Sequence, residues 1–224
     1  METPYAHVVS VDARPLLRGW LHLACFFLAV PIAVAIVASA TSATARVAAV
    51  IYVVGVVALF GVSGSYHRVR WSPVWRSRMQ RLDHMTIFVM IAGSYTPICL
   101  LILEGWLSVA MLVVAWTGAA VGGTLAWIRT RRVGGVRFGL YIGLGWAAVV
   151  AAPQLVGNLS IAQLVLIAVG GALFTVGAIF LATNWPDPFP RVFGYHEIWH
   201  VLVVAAVVCH MVAIVSVIQD TGPT

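Results

Sequence analysis

The stretch HEIWHVLVVAAVVCHMVAIVSVI, residues 196–218, decides the fold. It is almost wholly apolar, and at about 1.5 Å of rise per residue a helix of this length crosses the roughly 30 Å hydrocarbon core of a bilayer. A barrel strand would be shorter and would alternate apolar with polar residues; this run does neither. Working outward with the same ruler finds six more such runs, roughly 19–40, 47–67, 84–103, 106–128, 138–156 and 161–183. The sequence therefore predicts an all-α, polytopic membrane protein: one seven-transmembrane-helix bundle over 19–218, a segment 1–18 before it and a short tail 219–224 after it. The connections leave no room for a second domain, and no repeat or low-complexity tract interrupts the chain.

Composition points the same way. Of the 224 residues 62% are hydrophobic and 9% charged, with a mean hydropathy of +1.00. Soluble domains are roughly a quarter charged, so that class is excluded. The net charge of +6 comes from 13 basic residues, all of them arginine, placed in the gaps between apolar runs. That distribution favours anionic lipid headgroups as partners over nucleic acid. In a seven-crossing topology Arg14, Arg18, Arg68, Arg70, Arg76, Arg78, Arg81, Arg129, Arg131, Arg132, Arg137 and Arg191 share one side, and Arg46 alone takes the other. The positive-inside rule then puts the N-terminus in the cytoplasm and the C-terminus outside, across a cell inner or plasma membrane. The start, METPYAHVVSVDARPLLRGW, lacks the pattern of a secretory signal, so the first helix is expected to stay in the mature protein. Cys25, Cys99 and Cys209 have no ligand spacing and read as small core residues. Gly118 and Gly122, and Gly170, Gly171 and Gly177, suit close helix approach, within the bundle or between two copies.

Ionisable groups in or at the edge of membrane helices are costly and mark function by default. The second run ends in FGVSGSYHRVR, which sets Ser63 and His67 four apart on one helical face. RLDHMTIF opens the third with Asp83, and the seventh opens with His196 and His200, again four apart. By the alternation of crossings all these helix ends lie at the cytoplasmic side, so three separated stretches deliver histidine and carboxylate to one layer. Neutral imidazole suits zinc, and three protein nitrogens leave a fourth position for water, as in catalytic zinc sites. Iron or manganese would also accept this donor set.

Each residue has a plainer reading beside this one. His196 and His200 can hydrogen-bond loop carbonyls, and Asp83 can cap its helix, with or without holding a metal-bound water. Ser63 can bond back to its own helix. His84 is expected to face headgroups. His210 lies about 21 Å deeper than His196, too far to be a ligand, and suits a buried interhelical hydrogen bond.

Ser63-x-x-x-His67 closing the second helix, Asp83 opening the third and His196-x-x-x-His200 opening the seventh resemble the pattern of the progestin and adipoQ receptor family and the related alkaline ceramidases. His84 followed by IAGSYTP at 91–97, with HEIWHVLVVAAVVCH at 196–210, is similar to the bacterial hemolysin III branch of that family, over essentially the whole chain. The resemblance implies a seven-helix bundle with a cytoplasmic N-terminus and one zinc ion on His67, His196 and His200. It further implies that Asp83 contacts the water on that ion and that Ser63 lies near it. It also implies a metal-dependent hydrolase of lipid amides or esters and a part in membrane lipid homeostasis.

Four functions compete at this stage. In a lipid amide hydrolase Asp83 and Ser63 would be catalytic. In a receptor-like or regulatory protein the zinc would only brace helices. HEIWH also satisfies HExxH, which would make Glu197 the general base of an intramembrane metalloprotease, although an arginine from the basic loops can equally claim that carboxylate. A pore-forming hemolysin would need a charged path through the helices, and the sequence offers none.

Overall fold

The computed structural model describes residues 14–128 and 131–220, without the side chains of Arg131 and Arg132. Residues 1–13 of the leading segment, Arg129 and residues 221–224 of the tail lie outside the described residues. Among those described, seven helical spans are long and apolar enough to cross a membrane, and the chain is a multi-pass, seven-helix membrane bundle. Helices α1 (Trp20–Ser39), α2 (Ala43–Arg68), α3 (Pro73–Leu101) and α4 (Gly105–Leu125) make the first four crossings. The fifth is composite: α5 (Arg131–Trp146) tightens into a 3-10 turn at Ala147–Ala151 and continues as α6 (Ala152–Asn158), whose first turn holds Pro153. Helices α7 (Ile161–Thr183) and α8 (Tyr195–Asp220) complete the bundle.

Local chemistry sets several of these boundaries. The Ser42 hydroxyl accepts from the Ala45 amide at 3.1 Å and starts α2. Ser160 and Gln163 form a reciprocal capping box at the start of α7. Helix α3 begins eleven residues before the apolar run that announced it, with Ser72 at its N-cap and Pro73 in its first turn. Arg76, Arg78 and Arg81 are therefore helical and not in a loop, and Asp83 lies well inside α3. The capping role considered for Asp83 is thereby excluded. Hydropathy marks where a helix is apolar, and this helix extends past that limit.

Helix α2 is the most buried, packed between α1 and α3, while α8 lies along α7 and also touches α1, α2 and α3. Gly64 permits the close approach of α1: a Cβ there would stand 2.8 Å from the Leu23 amide nitrogen. Helix α1 buries His22, Ala29 and Ile36, seven residues apart, on the stripe that meets α2 and α8. The glycines singled out above serve packing within the chain, Gly118 against Leu144, Gly122 against Phe88, Gly170 against His210 and Gly177 against Trp199, whereas Gly171 meets nothing. His210 makes the expected interhelical bond, its Nε2 lying 3.2 Å from the Ile167 carbonyl oxygen. The three cysteines are unpaired.

Candidate metal centre

The last turn of α2 and the first turn of α8 meet at the arginine-rich end of the bundle. Spacing of four on α8 sets His196 and His200 one above the other, and His67 faces them from α2. One ring nitrogen from each falls within 4.8 Å of the others, and the Nε2 atoms of His67 and His196 are 3.2 Å apart. Two imidazoles on a tetrahedral zinc at roughly 2.05 Å would have nitrogens about 3.3 Å apart, so the observed separation fits the donor set. His67 and His200 are buried and His196 is half-buried.

Asp83 is not a member of the histidine cluster. Its side chain is hydrogen-bonded to the hydroxyl of Ser63, which is 3% exposed and one helical turn from His67. The structure thus brings together the three histidines as one group and Ser63 with Asp83 as a second, joined through α2. His84 packs toward α5, with its Nδ1 3.3 Å from an Arg137 amino group and its carbonyl accepting from the Tyr141 hydroxyl at 3.1 Å.

Residues that the sequence reading passed over close the site. His22 of α1 is 2% exposed and stacks on His200, with ring centroids 3.8 Å apart and planes 17° from parallel. The same rule that flagged His67, an ionisable group in an apolar run, would have flagged His22; it lacked only a partner at helical spacing. Residues just before α1 cross the mouth of the cluster. Arg14 donates to the His67 carbonyl oxygen at 2.9 Å, and the amides of Leu16 and Leu17 donate to the carbonyls of Arg191 and Val192. Burial lowers the pKa of the Arg14 guanidinium from its ordinary value, and Arg76 beside it adds to that shift.

Gly19 makes this crossing possible. It adopts φ +79°, and a Cβ built there would overlap the His67 Cβ. Gly19→Ala is therefore expected to lower stability by about 1–2 kcal/mol from backbone strain alone. It should also displace His67, read as a lower unfolding temperature in detergent together with weaker retention of any metal ion the cluster takes up.

Glu197 is committed elsewhere. It forms an ion pair with Arg18 and accepts from the Gly194 amide at 2.8 Å, and it is 3% exposed. Glu197→Gln is expected to keep the metal while costing about 1–3 kcal/mol of stability through the Arg18 left behind. Metal analysis and thermal unfolding of the variant check this, and loss of turnover at unchanged stability would instead favour the metalloprotease alternative.

The profile of the haemolysin-III related family matches residues 12–211. Among curated proteins the chain is similar to a hemolysin-3 homolog of Bacillus subtilis (strain 168), 35% identical over 123 residues, which is 54% of each chain. It is also similar to hemolysin-3 of Bacillus cereus, 40% identical over 124 residues, 54% of this chain and 53% of that one. The matched stretch spans about half the length of these relatives.

Proposed function

The chain belongs to the haemolysin-III related family, and on that premise we propose that it is a zinc-dependent hydrolase of a lipid amide or ester with a part in membrane lipid homeostasis. The observation that carries this reading is the convergence of His67, His196 and His200, whose ring nitrogens lie within 4.8 Å of one another, with the His67–His196 pair at a separation that fits tetrahedral nitrogen ligation. A divalent ion held by these three would polarise a carbonyl and lower the pKa of water to about 7. Zinc is the metal of choice for three imidazoles, with iron and manganese as competitors settled by supply.

The chain's own residues supply the rest. Asp83 takes the proton of the attacking water, and Ser63, already bonded to that carboxyl, fixes its direction. With its hydroxyl committed in this way, Ser63 orients the base more readily than it serves a developing oxyanion. The arginine-rich end faces the cytoplasm of an inner or plasma membrane, with anionic headgroups as its partners. Arg68 over Trp20, Arg78 over Trp75 and Arg81 over Trp127, at 4.3, 4.9 and 5.2 Å, suit the aromatic and basic belt of such an interface. The reading is tested by incubating zinc-loaded protein with ceramide-like and acyl-amide lipids and assaying fatty acid release by mass spectrometry; no release from any of them rejects it.

A second reading has its own support. The histidines join α2 to α8, and Asp83 stands outside their cluster, an arrangement in which zinc braces the bundle of a receptor-like or regulatory protein without catalysis.

A further inference from the structure

Three ligating rings must point at one ion, and a histidine ring turns easily about its Cβ–Cγ bond, where the torsion is broad. Packing or hydrogen bonding therefore has to fix the plane that carries each nitrogen lone pair. The cluster sets its planes at wide angles: 72° between His67 and His196, 63° between His67 and His200 and 67° between His196 and His200. Such angles suit rings that approach one point from two helices. The His67 and His196 rings meet through Nε2 atoms 3.2 Å apart, whereas His200 is gripped by α1.

That grip has two points. The His22 ring lies flat on the His200 ring, with centroids 3.8 Å apart and planes 17° from parallel, and it is hydrogen-bonded to the His200 backbone. The flat contact opposes rotation about Cβ–Cγ, and the backbone bond fixes where along α8 the contact falls. His22 is itself held: it is 2% exposed, and its ring meets Phe60 of α2 edge-on at 5.2 Å. Helix α1 is seated at this level by Gly64, whose missing side chain admits Leu23, and by the Arg18–Glu197 ion pair four residues earlier. Stacking also sets His22 apart from the ligands. Its lone pairs lie in its own plane and not in that of His200, and it is not a member of the three-histidine cluster.

We propose that His22 is a positioning residue of the metal centre: stacked on His200 and bound to its backbone, it sets the plane in which His200 offers a nitrogen to the ion. This role rests on the metal reading above and is independent of hydrolysis.

The test is metal binding by the full chain in detergent, with zinc affinity measured by chelator competition and ligand geometry read from the visible absorption of the cobalt(II) form. His22→Leu fills the space against Phe60 with neither a flat face nor a hydrogen bond. It should weaken zinc binding about 10–100-fold, the usual cost of losing a group that orients a ligand, and alter the cobalt spectrum. His22→Phe restores the flat face alone. It should return the wild-type spectrum and bind zinc more weakly than the wild type, by less than about tenfold. Glu197→Gln loosens α1 from α8 without touching either ring and should leave both readouts as in the wild type. Wild-type affinity and spectrum in His22→Leu overturn the proposal, and so does Glu197→Gln weakening zinc as much as His22→Leu, which would assign the effect to the docking of α1 as a whole. If His22→Leu fails to fold, His22→Phe decides, because it lacks the backbone bond; zinc affinity equal to that of the wild type then overturns the role. A wild type that binds neither zinc nor cobalt removes the metal centre and this role together, whereas metal held equally by wild type and His22→Leu rejects the role alone.

Discussion

Purified protein is expected to carry about one zinc per chain by elemental mass spectrometry, and His67→Ala, His196→Ala and His200→Ala are each expected to lose it. Three imidazoles leave zinc one position to spare, so removing one leaves only two protein ligands. Loss of a partner that merely orients a ligand weakens metal binding 10–100-fold, roughly, and losing a ligand itself should exceed that. The effect reaches stability. His67 sits on α2 and the pair on α8, so a bound ion would tie two helices and at about a hundred times its Kd would add about 2.7 kcal/mol to the folded state. Unfolding of the wild type should therefore depend on added zinc, and that of the three variants should not. Acidification should release the ion as well, because only neutral imidazole ligates. Wild-type protein that is metal-free and regains none on titration would remove the metal centre.

How much of this was legible in the sequence depended on whether the signal was local. Seven apolar runs gave seven crossings because each run meets the bilayer by itself, needing no neighbour to be interpreted. His196 and His200 were legible because a spacing of four is a fact about one helix. The third helix was placed too late because its arginine-bearing turns are helical outside the apolar layer, even though Ser72 and Pro73 carried the start signal. His22 was passed over because its meaning comes from α2 and α8, through a stacking contact 178 residues along the chain from His200. The Arg18–Glu197 pair has the same origin: an arginine partner was foreseen, while which of the arginines it would be depended on how the residues before α1 fold back over the site.

Asp83→Asn is expected to retain the metal and the fold while lowering hydrolysis by a factor of roughly 10²–10⁴, the usual contribution of a positioned base. The substitution keeps the shape of the side chain and one acceptor oxygen for Ser63, so packing between α2 and α3 should survive; what disappears is the capacity to accept a proton. Asp83 lies outside the histidine cluster, which is why metal content should not follow activity. Ser63→Ala should give a smaller loss in the same direction, because the carboxylate remains and only its orientation slackens. The pair of variants also separates the two readings of the zinc. If the ion only braces α2 against α8, Asp83→Asn leaves every function of the protein intact while the histidine variants abolish it. If Asp83 is the base, Asp83→Asn and the histidine variants all lose turnover, and only the histidine variants lose the metal. Metal content and fatty acid release measured on the same preparations distinguish these outcomes.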